Sequence, residues 1–173
     1  MSIKTIFLDR DGVINKDIGY LYKINDFLFN DSIFEICSHF EKLGYQIIIV
    51  TNQSGIFRNL YSEADYKKLN NWMLYHFRKN NINILSTFHC PHGPESTCNC
   101  RKPKPGMLID AKKKYNIVMK DSWIIGDKES DIIAGLAAGI ENTILFDEYK
   151  STVSSKAKFI IHSLNKVREI ITF

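Results

Sequence analysis

Short apolar runs alternate along this chain with longer segments whose apolar residues recur every three or four positions. The first run, Ile3-Lys4-Thr5-Ile6-Phe7-Leu8, reads as a buried strand. Ile33, Phe34, Ile36, Cys37, Phe40 and Leu43 keep helical spacing, opened by a capping box from Ser32 to Glu35 and closed by Gly44. Tyr45 to Val50 is a second β-branched run. Ser62 to Asp65 repeats the capping signal for a helix reaching about Lys79, and Ile84 to His89 forms a third strand. Pro105 suits the first turn of a helix ending near Tyr115. Ser122 to Ile125 is a fourth strand, Glu129 to Ala138 a helix stopped by Gly139, Thr143 to Phe146 a fifth strand and Phe159 to Ile161 a sixth, before a last helix from Ser163.

Strands alternating with helices imply right-handed βαβ units. The expected fold is α/β: one Rossmann-like domain over residues 1–173, with a parallel sheet and helices on both faces. The segments between Gly12 and the first helix and between Thr51 and the second are too short, at about 20 and about 10 residues, for a separate cap domain. Ligands of such sheets bind outside the carboxyl ends of the strands. Asp9, Asp11, Thr51 and Asp127 each fall just after an expected strand.

Those four residues suggest one chemistry. Asp9 and Asp11 stand two apart in an extended segment, so both lean to one face, where their repulsion asks for a cation. Asp9 and Asp127 can hold Mg²⁺, a hard ion that takes oxygen ligands. The Thr51 hydroxyl, the amides after it and the Lys102 ammonium can neutralise a phosphate dianion. Asp9 is then the nucleophile, and Asp11 donates a proton to the leaving alkoxide and later activates water.

Composition changes little in this picture. Hydrophobic residues make up 45% of the chain and charged residues 24%, as in ordinary globular domains. The net charge of +4 is spread without blocks, which suits an anionic small molecule and gives no nucleic-acid groove. With no apolar run near membrane-span length and no apolar leader, the chain is expected to work in the cytoplasm, off the membrane, as a monomer.

Three of the four cysteines crowd beside a histidine in Cys90-Pro91-His92-Gly93-Pro94-Glu95-Ser96-Thr97-Cys98-Asn99-Cys100. Three thiolates and an imidazole make a closed tetrahedral set for structural Zn²⁺, ligated by Cys90, His92, Cys98 and Cys100. The ion would pin an irregular loop next to Arg101 and Lys102. Cys37 belongs to the core.

Asp9-Arg10-Asp11-Gly12, Thr51, Lys102 and Gly126-Asp127-Lys128-Glu129-Ser130-Asp131 resemble the four ordered motifs of the haloacid dehalogenase-like phosphatase superfamily. The resemblance implies an aspartyl-phosphate on Asp9, with Mg²⁺ held by Asp9, Asp127 and the main-chain carbonyl of Asp11. It implies that Asp131 orients Lys102 or the metal's waters. Thr51-Asn52-Gln53-Ser54-Gly55-Ile56, Gly19-Tyr20 and Cys100-Arg101-Lys102-Pro103 are similar to its sugar-bisphosphate branch. That likeness implies substrate contacts from Asp17, Gly19, Tyr20, Asn52, Gln53, Ser54, Arg101 and Lys128. The implied reaction is loss of the 7-phosphate from D-glycero-D-manno-heptose 1,7-bisphosphate, on the way to nucleotide-activated heptose for lipopolysaccharide or other surface glycans. The five-residue spacing between His92 and Cys98 also occurs in histidinol-phosphate phosphatases, which makes histidinol phosphate the alternative substrate.

Overall fold

β1 (Thr5–Leu8) lies at the middle of a six-stranded sheet in the computed structural model, which describes residues 2–152 and 154–172. It pairs with β2 (Gln46–Asn52) on one side and β4 (Trp123–Gly126) on the other. β3 (Ile84–Cys90), β5 (Asn142–Phe146) and β6 (Phe159–Ile161) complete the order β3-β2-β1-β4-β5-β6, with every pairing parallel. Leu8 is level with Ile49 and with Ile125, so β1 and β4 end almost together while β2 runs on to Asn52, where the strand order reverses. A ligand crevice is expected at such a switch point.

Period-two alternation divides the strands between two cores. Ile6, Leu8, Ile47, Ile49, Ile125 and Ile144 face α1 (Ile33–Lys42), α2 (Glu63–Lys79) and the short α5 (Val167–Ile170). Phe7, Ile48, Val50 and Ile124 face α3 (Gly106–Tyr115) and α4 (Glu129–Ala137). Burying each such side chain stabilises the fold by about 1.5–3 kcal/mol. Both faces of the sheet are thus covered, as the sequence pattern implies. Cys37 is buried in the first core.

The helix ends show where local signals hold and where they fail. Ser62 Oγ accepts from Asp65 N at 3.1 Å while Asp65 Oδ2 accepts from Ser62 N at 2.9 Å, a complete capping box. Ser32 makes no such bond. Its backbone is left-handed, with φ 66°, whereas a capping side chain needs an extended residue. β2 continues through Thr51 and Asn52, so Thr51 belongs to the end of the strand rather than following it. The helix expected from Ser163 is a 3₁₀ turn, Leu164–Lys166, followed by α5.

Between Gly12 and α1 the chain forms turns, isolated bridges from Asn15 to Asp11 and Phe29, and one 3₁₀ element, Ile24–Asp26, and between β2 and α2 only turns. No cap domain covers the strand ends among the described residues. No helix there is long and apolar enough to cross a membrane.

Candidate active site

A cavity of about 330 Å³ opens at the ends of β1, β2 and β4. Asp9, Asp11, Asp17, Gly19, Tyr20, Thr51, Asn52, Gln53, Ser54, Lys102 and Lys128 line it, so most of the residues singled out from sequence meet here. Tyr61, Ser130 and Asp131 join them. Asp127 and Arg101 do not line this space. A carboxylate oxygen of Asp127 lies within 4.8 Å of one on Asp9, and Arg101 faces an adjoining cavity of about 570 Å³ with Lys104, Asn52, Ser54 and Lys128.

The centre is a buried charge cluster. Asp9 continues β1, with its amide bonded to Ile125 O at 3.0 Å. Lys102 Nζ reaches in from the segment before α3, donating to Asp9 Oδ1 at 2.8 Å and to Val50 O at 2.8 Å, and lies 2.5 Å from Asp131 Oδ1. Burial works against the charge on this lysine, but Asp131 and Asp9 outweigh it and push its pKa up. Lys102 is only 4% exposed, so it serves as a fixed positive charge. Asp131 Oδ2 also accepts from Lys128 N at 3.1 Å, which ties the ion pair to the first turn of α4.

Carboxylate oxygens of Asp9, Asp127 and Asp131 lie within 4.8 Å of one another. Burial, followed by the neighbouring Asp9 charge, pushes Asp127 up to about 8. Burial likewise raises Asp9, and the adjacent Lys102 opposes that rise. Asp127 Oδ1 is buried with no protein partner. A hard divalent cation fits this set, because it would ionise both acids and satisfy the orphan oxygen. The turn after β1 has to hug Asp127: a Cβ on Gly12, at φ +90°, would lie 2.2 Å from Asp127 Oδ2.

Asp11 is held differently. Its Oδ1 accepts from Arg10 Nη2 at 2.8 Å and Asn15 Nδ2 at 3.1 Å, and its Oδ2 from Gln53 Nε2 at 3.0 Å. Gln53 Nε2 also donates to Thr51 Oγ1 at 2.8 Å, which leaves the hydroxyl proton of Thr51 free for an incoming anion. The sequence reading gave Arg10 and Tyr61 no role. A charged residue between two strand-end acids has no period-two signal for function, and Tyr61 reads as an ordinary core aromatic.

The Asp17–Tyr20 segment closes one wall. Asp17 Oδ1 accepts from Gly19 N at 2.9 Å and Asp17 Oδ2 from Lys128 Nζ at 2.9 Å. Partial burial alone would raise this acid, but Lys128 and the Gly19 amide hold its pKa below the usual value. Lys128 Nζ also stands 3.4 Å from Asp127 Oδ2.

On the neighbouring loop, the ligand atoms of Cys90, His92, Cys98 and Cys100 lie within 4.8 Å of one another. The Cys90–Cys98 sulfurs are 3.7 Å apart, and His92 Nδ1 lies 3.5 Å from Cys90 Sγ and 3.3 Å from Cys100 Sγ. Tetrahedral Zn²⁺ with bonds of about 2.0–2.3 Å sets edges of about 3.5–3.8 Å, which most of these distances approach. The Cys90–Cys100 edge, at 2.9 Å, is tighter. Arg101 Nη1 donates to His92 O at 3.2 Å, so the loop and the cationic segment are joined.

Comparison with known proteins gives concordant likenesses. Residues 99–165 match the family described as HAD-hydrolase-like. The chain is 47% identical over 173 residues to the D-glycero-alpha-D-manno-heptose-1,7-bisphosphate 7-phosphatase of Campylobacter jejuni, covering all of this chain and 96% of that one. It is 43% identical over 143 residues to the D-glycero-beta-D-manno-heptose-1,7-bisphosphate 7-phosphatase of Helicobacter pylori, covering 82% and 83%. Its fold superposes with a TM-score of 0.86 on the D,D-heptose 1,7-bisphosphate phosphatase of B. bronchiseptica complexed with magnesium and phosphate, at 26% identity and covering 97% of each chain.

Proposed function

The chain belongs to the heptose-1,7-bisphosphate 7-phosphatase family of haloacid dehalogenase-like hydrolases, and from that premise we propose that it removes the 7-phosphate of D-glycero-D-manno-heptose 1,7-bisphosphate. The observation that carries the chemistry is the buried Asp9–Lys102–Asp131 ion cluster at the strand ends, beside Thr51 and Asp11. A carboxylate held against a fixed ammonium can approach a phosphate dianion that would otherwise repel it.

In this reading Asp9 attacks phosphorus, and the bond from phosphorus to the C7 oxygen breaks. The leaving alkoxide takes a proton from Asp11. Water, giving its proton back to Asp11, then attacks phosphorus and releases Asp9 and inorganic phosphate. Thr51 and Lys102 bind the phosphoryl oxygens throughout. Mg²⁺, held by Asp9, Asp127 and the Asp11 carbonyl, supplies charge neutralisation when bound. The orphan Asp127 oxygen and the magnesium in the B. bronchiseptica relative support that assignment.

The Cys90, His92, Cys98 and Cys100 set takes Zn²⁺ as a structural staple, since four protein ligands leave no open position. Asp17, Gly19, Tyr20, Asn52, Gln53, Ser54, Arg101 and Lys128 contact the sugar or its distal phosphate. The product feeds nucleotide-activated heptose for lipopolysaccharide or related glycans, in the cytoplasm where phosphorylated sugars are made. The relatives' names favour heptose over histidinol phosphate.

The test is phosphate release with Mg²⁺ from heptose 1,7-bisphosphate, offered as both anomers beside histidinol phosphate. Release of one phosphate, with heptose 1-phosphate as product, is expected. Preferential turnover of histidinol phosphate overturns the assignment.

A further inference from the structure

Arg10 stands between the two acids in sequence, yet its side chain points into the protein and is only 1% exposed. Its guanidinium grips Asp11: Nε donates to Oδ1 at 3.2 Å, and Nη2 donates to Oδ1 at 2.8 Å and Oδ2 at 2.9 Å. Nη2 also reaches Leu21 O at 3.1 Å, while Nη1 is buried without a protein partner. Removing a guanidinium from water is expensive, and a buried ion pair is often matched in stability by apolar residues of similar volume. An interior arginine with one carboxylate partner and one orphan nitrogen is therefore a weak way to stabilise a fold. Its product is a fixed position for Asp11.

Other contacts complete the grip. Asn15 Nδ2 donates to Oδ1 and Gln53 Nε2 to Oδ2. The Gln53 amide is itself oriented, because the Tyr61 hydroxyl donates to its Oε1 at 2.5 Å. Tyr61 is clamped in turn, stacked on Tyr22 with centroids 5.4 Å apart and seated against Gly55, where a Cβ would come within 2.1 Å of the ring. Asp11 still borders the cavity, with its side chain 18% exposed.

We infer that Arg10 is a positioning residue. It touches no substrate, and it holds the Asp11 carboxylate where a proton can pass to and from the leaving oxygen. The inference rests on Asp11 being the acid and base of the proposed reaction. Such proton transfer contributes about 10²–10⁴ in rate and depends on close placement. Its importance varies with the leaving group: a sugar alkoxide needs the proton, whereas nitrophenolate departs without it. kcat/KM covers the steps up to that departure, so it isolates the effect from later hydrolysis.

The experiment measures kcat/KM of Arg10→Lys, which keeps the charge and loses the fork, on heptose 1,7-bisphosphate and on p-nitrophenyl phosphate. Arg10→Gln, uncharged and of similar reach, keeps the test decisive should the lysine fail to fold. Melting temperatures are recorded for each variant. The expected result is a loss of about 30-fold on the sugar and at most about 3-fold on the aryl ester, a fraction of the full acid–base contribution. Asp11→Asn, assayed alongside, should show the same split more strongly. Equal losses on both substrates, or none, overturn the role of Arg10 when Asp11→Asn shows the split. A missing split in Asp11→Asn overturns the acid–base reading itself.

Discussion

Asp131 Oδ1 lies 2.5 Å from Lys102 Nζ, and the same ammonium donates to Asp9 Oδ1 at 2.8 Å. Asp131 thus fixes the lysine against Asp9, and its other oxygen anchors that arrangement to α4 through Lys128 N. Asp131→Asn keeps the shape and removes the charge. We expect kcat to fall by about 10- to 100-fold with the fold retained. Asp131→Ala leaves Lys102 one buried partner short and should cost about 3–5 kcal/mol of stability in urea unfolding. Wild-type kcat in Asp131→Asn would show that Asp9 and Val50 O hold Lys102 without the Asp131 charge.

Asp9→Asn should abolish turnover, because an amide neither attacks phosphorus nor balances Lys102. Asp11→Asn should keep a trace of activity, reduced by about 10²–10⁴ on the sugar substrate. Acid quenching of Asp11→Asn during turnover of an aryl phosphate should trap phosphoprotein, and mass spectrometry should map it to Asp9. A label on any other residue refutes the covalent step.

Mg²⁺ binding should be linked to pH through the Asp9–Asp127 pair. Asp127 has an ordinary value of 3.8 and is pushed up to about 8, first by burial and then by the Asp9 charge. A folded pKa above the unfolded one means that the folded protein holds the extra proton between those values. Stability from this group is therefore full below about pH 4 and is lost as pH rises toward about 8 in metal-free protein. Magnesium competes with that proton, so its thermal stabilisation of chelator-treated protein should grow from pH 6 to pH 8. A shift in melting temperature that is constant across that range contradicts the linkage.

Much of this site is legible in the sequence because chemistry and periodicity coincide there. Asp9 and Asp127 follow short apolar runs, and the spacing of Cys90, His92, Cys98 and Cys100 matches a metal set that the fold brings within 4.8 Å. The capping box at Ser62 is legible for the same reason, since it is closed by residues three apart. Ser32 carries the same signal and fails, because the chain enters α1 with left-handed backbone there. Arg10 and Tyr61 escape a sequence reading. What they do depends on contacts to Asp11 and Gln53 that only the folded loops create, and neither has the spacing of a motif.

Purified protein should hold one zinc per chain, retained through dialysis against Mg²⁺-free buffer. Cys98→Ser weakens that set, and because metal binding is coupled to ordering of the loop, it should lower the melting temperature as well as activity. The expected loss of activity follows from the contact between loop and cationic segment, since Arg101 Nη1 is bonded to His92 O and Lys102 follows it in the chain. Zinc-free protein with normal melting and normal turnover would refute a structural role for the loop.

Arg101 should decide how well the far end of the substrate is held. It faces the second cavity with Lys104 and Lys128, and that space shares Asn52, Ser54, Lys102 and Ser130 with the catalytic one. A bisphosphate with one phosphate at Asp9 can extend its other phosphate into this cationic neighbour, where a guanidinium can donate to two of its oxygens at once. Histidinol phosphate brings an amine and an imidazole to the same place and gains nothing from Arg101. An open site without a cap must draw its discrimination from such remote contacts, and their binding energy can be expressed in the transition state. Arg101→Ala should therefore lower kcat/KM for heptose 1,7-bisphosphate by about 10- to 100-fold, the range for losing one charge-assisted contact of about 1.5–3 kcal/mol. On p-nitrophenyl phosphate, which carries no second anion, the same variant should stay within about 2-fold of wild type. Steady-state kinetics on the two substrates check this, and an equal loss on both means that Arg101 serves the transferring phosphate rather than the distal one.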